Sequence, residues 1–128
     1  MVLIDTAILL WLAADQNRLS FRAKECIKDN VGNLFISAIS AFEIAIKAKK
    51  GKIYLPLEAG VWFAKALQFH GIQEVPINGE LAELSVRLPL LHNDPCDRFI
   101  IATAIRNSMI IVSSDERIKQ YNEVKVVW

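Results

Sequence analysis

Cysteine and histidine, which supply many metal sites, are scarce in this chain. Its 128 residues include two cysteines, Cys26 and Cys96, and two histidines, His70 and His92. Two cysteines without histidines close by make a poor metal site, so zinc bound by cysteine and histidine is not indicated. We interpret His92 and Cys96 as loop and packing residues, and we expect both thiols to stay reduced.

Excess charge and long apolar runs are also missing. The formal net charge is +1, so bulk charge does not indicate a nucleic-acid-binding protein, and any such function needs a local patch. The longest uninterrupted apolar run, from Ala7 to Ala14, is too short to span a bilayer. The opening residues MVLID lack the basic region of a signal peptide. We therefore expect a cytoplasmic protein that does not insert into membranes.

The sequence does contain the apolar residues of a packed core. Hydrophobic residues make up 53% of the chain, and one domain spanning residues 1–128 is expected at this length. Strand patterns alternate with helical patterns, which is typical of a parallel sheet covered by helices on both faces. We predict strands at 2–5, 34–37, 72–77, 109–114 and 124–128, helices at 7–15, 20–30, 40–52, 57–70, 79–88 and 95–107, and a short helix at 115–121.

Four acids lie where these predicted strands end or where the following helices begin. Asp5 ends the first strand, and Glu43 lies in the first turn of the helix after the second strand. Asp97 lies in the first turn of the helix from Pro95, and Asp115 directly follows the strand at 109–114. Because the carboxyl ends of parallel strands meet at one edge, where ligands bind, we expect these carboxylates to face one another.

Carboxylates gathered this closely repel unless they take up protons or a cation bridges them. Oxygen ligands of this kind suit Mg²⁺ or Mn²⁺. Such a cation activates a water for attack on a phosphodiester, and no serine, cysteine or histidine nucleophile is required. The four acids together therefore predict a metal-dependent hydrolase.

Helix capping explains each acid separately. Asp94 precedes Pro95 and fits an N-cap, with Asp97 as its capping-box partner. Asp5 also fits a cap. Two further pairs have capping-box spacing: Ser40 with Glu43, and Ser113 with Glu116. Taken singly, each acid is better explained as a cap, so the metal site depends on their convergence.

Weaker candidates surround the four acids. The hydroxyls of Thr6, Ser37 and Ser114 would hydrogen-bond a carboxylate or a metal-bound water, or would only cap helices. Arg98 would hold Asp97 in place or contact phosphate. Four lysines form either a phosphate-guiding patch or a solvated helix end: Lys47, Lys49, Lys50 and Lys52.

Three blocks of the sequence resemble, in order and spacing, the PIN-domain ribonucleases of the VapC type, which are the toxins of type II toxin–antitoxin modules. The blocks are LIDTAILLWLAADQNRLS, ISAISAFEIAIKAKKGKI and HNDPCDRFIIATAIRNSMIIVSSDERIKQY. The resemblance assigns the acidic site to Asp5, Glu43, Asp97 and Asp115, and so favours Asp97 over Asp94 as a ligand. Three positions depart from common family residues: Ala7, Cys96 and Ser113.

The resemblance implies a three-layer α/β/α sandwich around a mostly parallel sheet of four to five strands. It also implies Mg²⁺- or Mn²⁺-dependent endoribonuclease activity. Asp5, Asp97 and Asp115 would be the main ligands, and Glu43 would complete the metal site or position the attacking water. RNA, often tRNA or rRNA, would be the substrate, and the lysines would bind it. The expected protein partners are a second copy in a homodimer and a cognate antitoxin. The apolar stretch around Trp62 and Phe63 fits a core, a dimer face or an antitoxin groove.

Two other classes of function remain open from the sequence. A receiver-type phosphoacceptor module also gathers acids at a sheet edge, but it needs an acidic pair where this chain has Asp5 followed by Thr6 and Ala7. A catalytically silent RNA-binding or scaffold domain of the same fold is the second alternative. Such a domain has no need for four repelling acids and would bind no Mn²⁺, which separates it from the enzyme.

Overall fold

The centre of the molecule is a sheet of five parallel strands, seen in a computed structural model that describes residues 1–128. The strand order is β3-β2-β1-β4-β5, and Leu3 of β1 lies opposite Phe35 of β2 and Ile111 of β4. This confirms the predicted parallel sheet. The strands are β1 (Val2–Ile4), β2 (Leu34–Ser37), β3 (Ile72–Val75), β4 (Ile110–Val112) and β5 (Val126–Val127).

Six α-helices connect and cover the strands, as predicted. They are α1 (Thr6–Ala14), α2 (Phe21–Asp29), α3 (Ile39–Lys49), α4 (Ala59–His70), α5 (Gly79–Arg87) and α6 (Pro95–Asn107). The short helix predicted at 115–121 is only a 3₁₀ turn, Ile118–Gln120, and a second 3₁₀ turn covers Gln16–Arg18. None of the helices has the length and apolar character needed to cross a membrane.

Two apolar cores lie on opposite faces of the sheet, because successive side chains of a strand point to opposite faces. Ile4 and Val112 belong to the core that the sheet forms with α1, α2, α3 and α4. Their neighbours Leu3 and Ile111 belong to the core formed with α5 and α6. The result is the predicted three-layer α/β/α sandwich.

The strand order also determines where a ligand site lies. The chain passes from β1 to β2 on one side, and β4 later pairs with β1 on the other side. When the strands on the two sides of a central strand are reached by connections that run in opposite directions, a crevice opens beyond the carboxyl end of the central strand. In this sheet the crevice lies after Ile4, between the segments that follow β2 and β4.

Candidate active site

Asp5 is the first acid of the crevice and also caps α1. Its carboxylate accepts a hydrogen bond from the Ile8 amide at 3.0 Å, so the capping interpretation is confirmed. Burial raises the pKa of Asp5 to about 6, and the nearby charges of Glu43 and Asp115 act in the same direction. The Ser113 side chain and the Ile8 amide act to lower the pKa of this carboxyl. Asp5 is therefore a buried acid that borders a shared, negatively charged pocket.

Glu43 reaches the pocket from the fifth position of α3, beyond the first turn where the sequence placed it. Thr6 donates its hydroxyl proton to Glu43 Oε1 at 2.6 Å, and the Ser40 hydroxyl lies 2.8 Å from the same Thr6 oxygen. Because Thr6 has one proton to donate, Ser40 must donate to Thr6. The predicted Ser40–Glu43 capping box is wrong, since Ser40 is fully buried inside the helix. Burial raises the pKa of Glu43, and the charge of Asp94 adds to this effect.

Asp97 lies at the centre of the acidic cluster. Glu43, Asp94 and Asp97 each offer a carboxylate oxygen within 4.8 Å of the others. Burial, together with the charges of Asp94 and Glu43, raises the pKa of Asp97 to about 7. Asp94 caps α6 as predicted, accepting from the Cys96 amide at 2.9 Å. The predicted capping box is wrong, because the Asp94 amide donates to His92 instead of to Asp97.

His92 is the site residue that the sequence interpretation missed. Its Nε2 lies 2.8 Å from Asp97 Oδ2 and 3.1 Å from Asp115 Oδ2, and its side chain has no exposed surface. His92 does lie in a loop and is buried, as interpreted, but it also contacts two of the four acids. Its partners are five and 23 positions further along the chain, so no local ligand spacing marked it.

Asp115 follows β4 and shares His92 with Asp97. Its Oδ1 accepts from the Arg117 amide at 2.8 Å. Burial alone would raise the pKa of Asp115, but the hydrogen bonds from the Arg117 amide and from His92 outweigh burial and lower the pKa. The predicted Ser113–Glu116 capping box is wrong, because the Ser113 oxygen accepts from the Asp115 amide at 3.1 Å.

The pocket has the chemistry of a divalent cation site. No lysine or arginine forms a salt bridge with Asp5, Glu43 or Asp97, although Lys47 lines the pocket. The pKa values of these three acids, of which Asp5 is buried and Glu43 and Asp97 are half-buried, are all raised, so their negative charge is poorly compensated by the chain itself. Carboxylate oxygens are the ligands that Mg²⁺ and Mn²⁺ prefer. The residues present therefore fit such a cation.

The sequence model of the PIN domain family matches residues 2–124 of this chain, which include all the acids of the pocket. This chain belongs to the PIN domain family. A PIN domain is what the resemblance implied, and it rules out the receiver-type module as a description of the chain.

Individual relatives agree with this assignment. The chain is 32% identical to Ribonuclease VapC22 of Mycobacterium tuberculosis (strain ATCC 25618 / H37Rv) over 127 residues, which cover 98% of this chain and 95% of that protein. It superposes on the crystal structure of VapBC2 from Rickettsia felis bound to a promoter DNA fragment, with a TM-score of 0.72, 13% identity and coverage of 98% and 97%. A toxin–antitoxin complex from Klebsiella pneumoniae gives a TM-score of 0.68, 21% identity and coverage of 97% and 95%. At these identities the two structures establish likeness of fold.

Arg98 does not have the role that the sequence suggested for it in this PIN domain. The side chain is buried and contacts neither Asp97 nor the pocket. All three of its nitrogens donate to other groups, so it is not free to bind phosphate, and both interpretations of Arg98 are wrong. Its acceptors are the carbonyls of Ser85, Val86, Leu88, Pro89 and His92 and the hydroxyl of Tyr121.

The three candidate hydroxyls have separate positions in the PIN domain. Thr6 holds Glu43, as predicted for a residue that orients a carboxylate. Ser114 lines the pocket beside Asp115. Ser37 is fully buried and does not line the pocket; its oxygen accepts from the Ile39 amide at the start of α3.

The lysines lie next to the acids in a second groove. Lys47 lines the acidic pocket, and the groove is formed by Lys47, Lys50 and Lys52 together with Phe42 and Cys96. Lys49 lines neither. Burial raises the pKa of the Cys96 thiol to about 11, with the charges of Glu43 and Asp94 adding to it, so the thiol stays protonated at neutral pH.

The apolar stretch on α4 divides between core and surface. Phe63 is buried in the core beneath α4. Trp62 is partly exposed and lines an apolar groove with Trp11, Tyr54 and Leu55. Trp11 also lines the acidic pocket, so the two depressions adjoin.

Proposed function

We propose that this PIN domain is a metal-dependent endoribonuclease and the toxin of a toxin–antitoxin module. The observation that carries the proposal is the position of Asp97, which lies close both to Glu43 and Asp94 and to Asp115 at the carboxyl edge of the sheet. The 32% identity to a protein named Ribonuclease VapC22 supports RNA as the substrate. In a catalytically silent scaffold these acids would repel one another in the same way, although no cation would have to be bound.

The acids would divide the work of hydrolysis between them. Asp5, Asp97 and Asp115 would hold Mg²⁺ or Mn²⁺, and Glu43 would orient the attacking water. A bound divalent cation lowers the pKa of water and offsets the charge that develops on the phosphate. Thr6 holds the Glu43 carboxylate in one orientation. Burial and the charge of Asp94 raise the pKa of Glu43 above its ordinary value, which makes its carboxylate a stronger proton acceptor.

The groove beside the acids would bind the RNA strand. Lys47, Lys50 and Lys52 supply positive charge for backbone phosphates. Phe42 lines the same groove and is 54% exposed, which suits stacking against an unpaired base. The RNA backbone would therefore lie along the lysines and place one phosphate beside the carboxylates.

The protein partner would be a cognate antitoxin, as it is for the toxin–antitoxin complexes of the same fold. The apolar groove of Trp11, Tyr54, Leu55 and Trp62 adjoins the acidic pocket, so a segment bound there would reach the acids. Co-expression with the product of a short neighbouring reading frame should yield a stable complex without RNA cleavage. Active nuclease in that complex would contradict this assignment. The homodimer stays a prediction.

Asp5 provides the test of the nuclease itself. Asparagine is as good an N-cap as aspartate, so D5N preserves the α1 cap and removes only the charge. Loss of a ligand should cost at least the roughly 10–100-fold in activity that loss of an outer-sphere partner costs. RNA cleavage with Mn²⁺ is measured for D5N and for D29N, the same change at an exposed residue of α2. Undiminished cleavage by D5N would contradict the proposal.

A further inference from the structure

We propose that His92 is a positioning residue that fixes the Asp115 carboxylate through its Nε2–H while lying against the Asp97 carboxylate, and so sets the spacing of these two acids. Its Nε2 is hydrogen-bonded to Asp115 Oδ2 at 3.1 Å and also lies 2.8 Å from Asp97 Oδ2. The imidazole is completely buried, so water does not compete for this nitrogen. The inference rests on the proposed function, because it gives these two acids a role in holding a cation.

The other ring nitrogen determines which atom carries the proton. The Asp94 amide donates to His92 Nδ1 at 3.2 Å, and an amide N–H requires a lone pair on its acceptor. Nδ1 is therefore unprotonated, and the single ring proton of the neutral imidazole lies on Nε2. A protonated Nε2 has no lone pair to offer a metal. His92 is thus a donor to Asp115 and is not itself a ligand.

The backbone of His92 is fixed by residues on the two segments that carry these acids. Arg98, which follows Asp97 on α6, donates to the His92 carbonyl at 3.1 Å. The His92 amide donates to the hydroxyl of Tyr121, beyond β4, at 3.1 Å. Arg98 and Tyr121 also contact each other at 3.3 Å. The imidazole is therefore positioned by the same framework that positions Asp97 and Asp115.

The position of His92 has a clear consequence for the geometry of the site. Asp97 and Asp115 belong to one cluster with His92, whose ligand atoms all lie within 4.8 Å of one another, and two carboxylates at this distance repel. The polar Nε2–H beside both acids offsets part of that repulsion, and its hydrogen bond fixes the rotation of the Asp115 carboxylate. Groups that orient metal ligands in this way are typically worth about 10–100-fold in metal affinity. His92 should therefore raise the affinity of the pocket for a divalent cation.

Three substitutions separate the donor from the rest of the side chain. H92Q places an amide N–H near the position of Nε2, H92N reaches only the position of Nδ1, and H92F fills the space with no donor at all. H70Q removes the other histidine, on α4, and serves as the matched control. Mn²⁺ affinity is measured by calorimetry, and thermal denaturation without metal shows whether each variant is folded.

We expect H92F and H92N to bind Mn²⁺ about 10–100-fold more weakly than the unchanged protein, and H92Q to recover most of that loss. H70Q should bind normally. If folded H92N binds Mn²⁺ as tightly as the unchanged protein, or if folded H92Q is as weak as H92N, the positioning role is overturned. If the unchanged protein binds no Mn²⁺, the proposed function fails as well, so the two failures are distinguishable.

The tautomer is a second test that needs no metal and no activity. In the H70Q variant the only imidazole signals come from His92. Long-range ¹H–¹⁵N spectra of this metal-free variant near neutral pH should show a protonated Nε2 and an unprotonated Nδ1. A proton on Nδ1 would overturn the inference, since the Asp94 amide would then have no acceptor there.

Discussion

At the scale of single residues, the acids of the pocket oppose folding in the absence of a cation. Burial raises the pKa of Asp5 to about 6 and of Asp97 to about 7, whereas the ordinary value for aspartate is 3.8. Between pH 3.8 and these raised pKa values, the folded protein holds protons that the unfolded chain has lost. Stability therefore falls as the pH rises through this range. The lowered pKa of Asp115 has the opposite effect on stability, which it reduces as the pH falls. This effect is confined to pH values below the ordinary pKa of 3.8.

Removing the charge of Asp97 should therefore stabilise the metal-free protein. D97N keeps the shape of the side chain, which is 18% exposed, and removes its charge. We expect its Tm at about pH 8 to exceed that of the unchanged protein by about 4 °C, which corresponds to about 1 kcal/mol in a domain of this size. At about pH 5 the difference should shrink, because Asp97 is then mostly protonated. Thermal denaturation at both pH values without metal is the measurement, and a lower Tm for D97N at pH 8 would contradict the argument.

The roles of single residues were harder to predict from the sequence than the presence of the acids. The sequence predicted three of the acids, Asp5, Asp97 and Asp115, because each follows a strand or opens a helix and parallel strands end at one edge of the sheet. His92 was not, because its function depends on side chains that meet only when α6 and β4 pack side by side. Arg98 was misassigned for a similar reason. Its position next to Asp97 in the chain points its side chain to a different surface of α6.

At the scale of elements, the end of α5 and the loop before α6 depend on Arg98. Its guanidinium has no carboxylate partner and instead collects carbonyl oxygens at the C-terminal end of α5, where the helix dipole favours a cation. The loop carbonyl of His92 accepts from the same side chain. One buried cation therefore fixes both the turn after α5 and the residue that joins Asp97 to Asp115.

Lysine should be unable to replace this arginine. Its single nitrogen cannot reach acceptors spread over the three guanidinium nitrogens, so carbonyls would be left buried without donors. R98K should lower the free energy of unfolding by about 2–4 kcal/mol. The control is R106K on the same helix, where an exposed pair with Glu80 is worth at most about 1 kcal/mol. Urea denaturation measures both, and equal losses in the two variants would contradict the role of Arg98.

Most elements were predictable because their signals are local. The apolar run of β2 predicted 34–37, and Asp94 with Pro95 predicted the start of α6, both as the structure has them. The end of α3 was predicted three residues too late. Gly51 has a φ of 72°, and the Lys52 amide bonds back to the Lys47 carbonyl, so the glycine follows the helix end and the helix stops at Lys49. Such closing geometry is not visible in apolar periodicity.

At the scale of the whole molecule, a net charge of +1 conceals a separation of charge. The pocket holds five acids and one lysine, whereas the adjoining groove holds three lysines, with Lys47, Glu43 and Asp94 shared by both. A polyanion is repelled by the first and attracted by the second. In the proposed function the lysines would therefore supply the attraction that brings a phosphate to acids which would otherwise exclude it, and this would separate RNA binding from cation binding.

Removing two of these lysines should weaken RNA binding and leave cation binding intact. Lys50 and Lys52 line the groove but not the acidic pocket, so K50Q/K52Q leaves the carboxylates unchanged. Each phosphate contact in single-stranded RNA contributes about 0.7 to the slope of log affinity against log salt, so the slope should fall by about 1.4. RNA affinity would be measured over a range of salt concentrations on the D5N background to prevent cleavage, with K49Q as the control because Lys49 lines neither depression. Mn²⁺ affinity, measured on the unchanged background, should stay as it was. An unchanged salt slope in K50Q/K52Q, or an equal change in K49Q, would contradict the assignment of RNA binding to this groove.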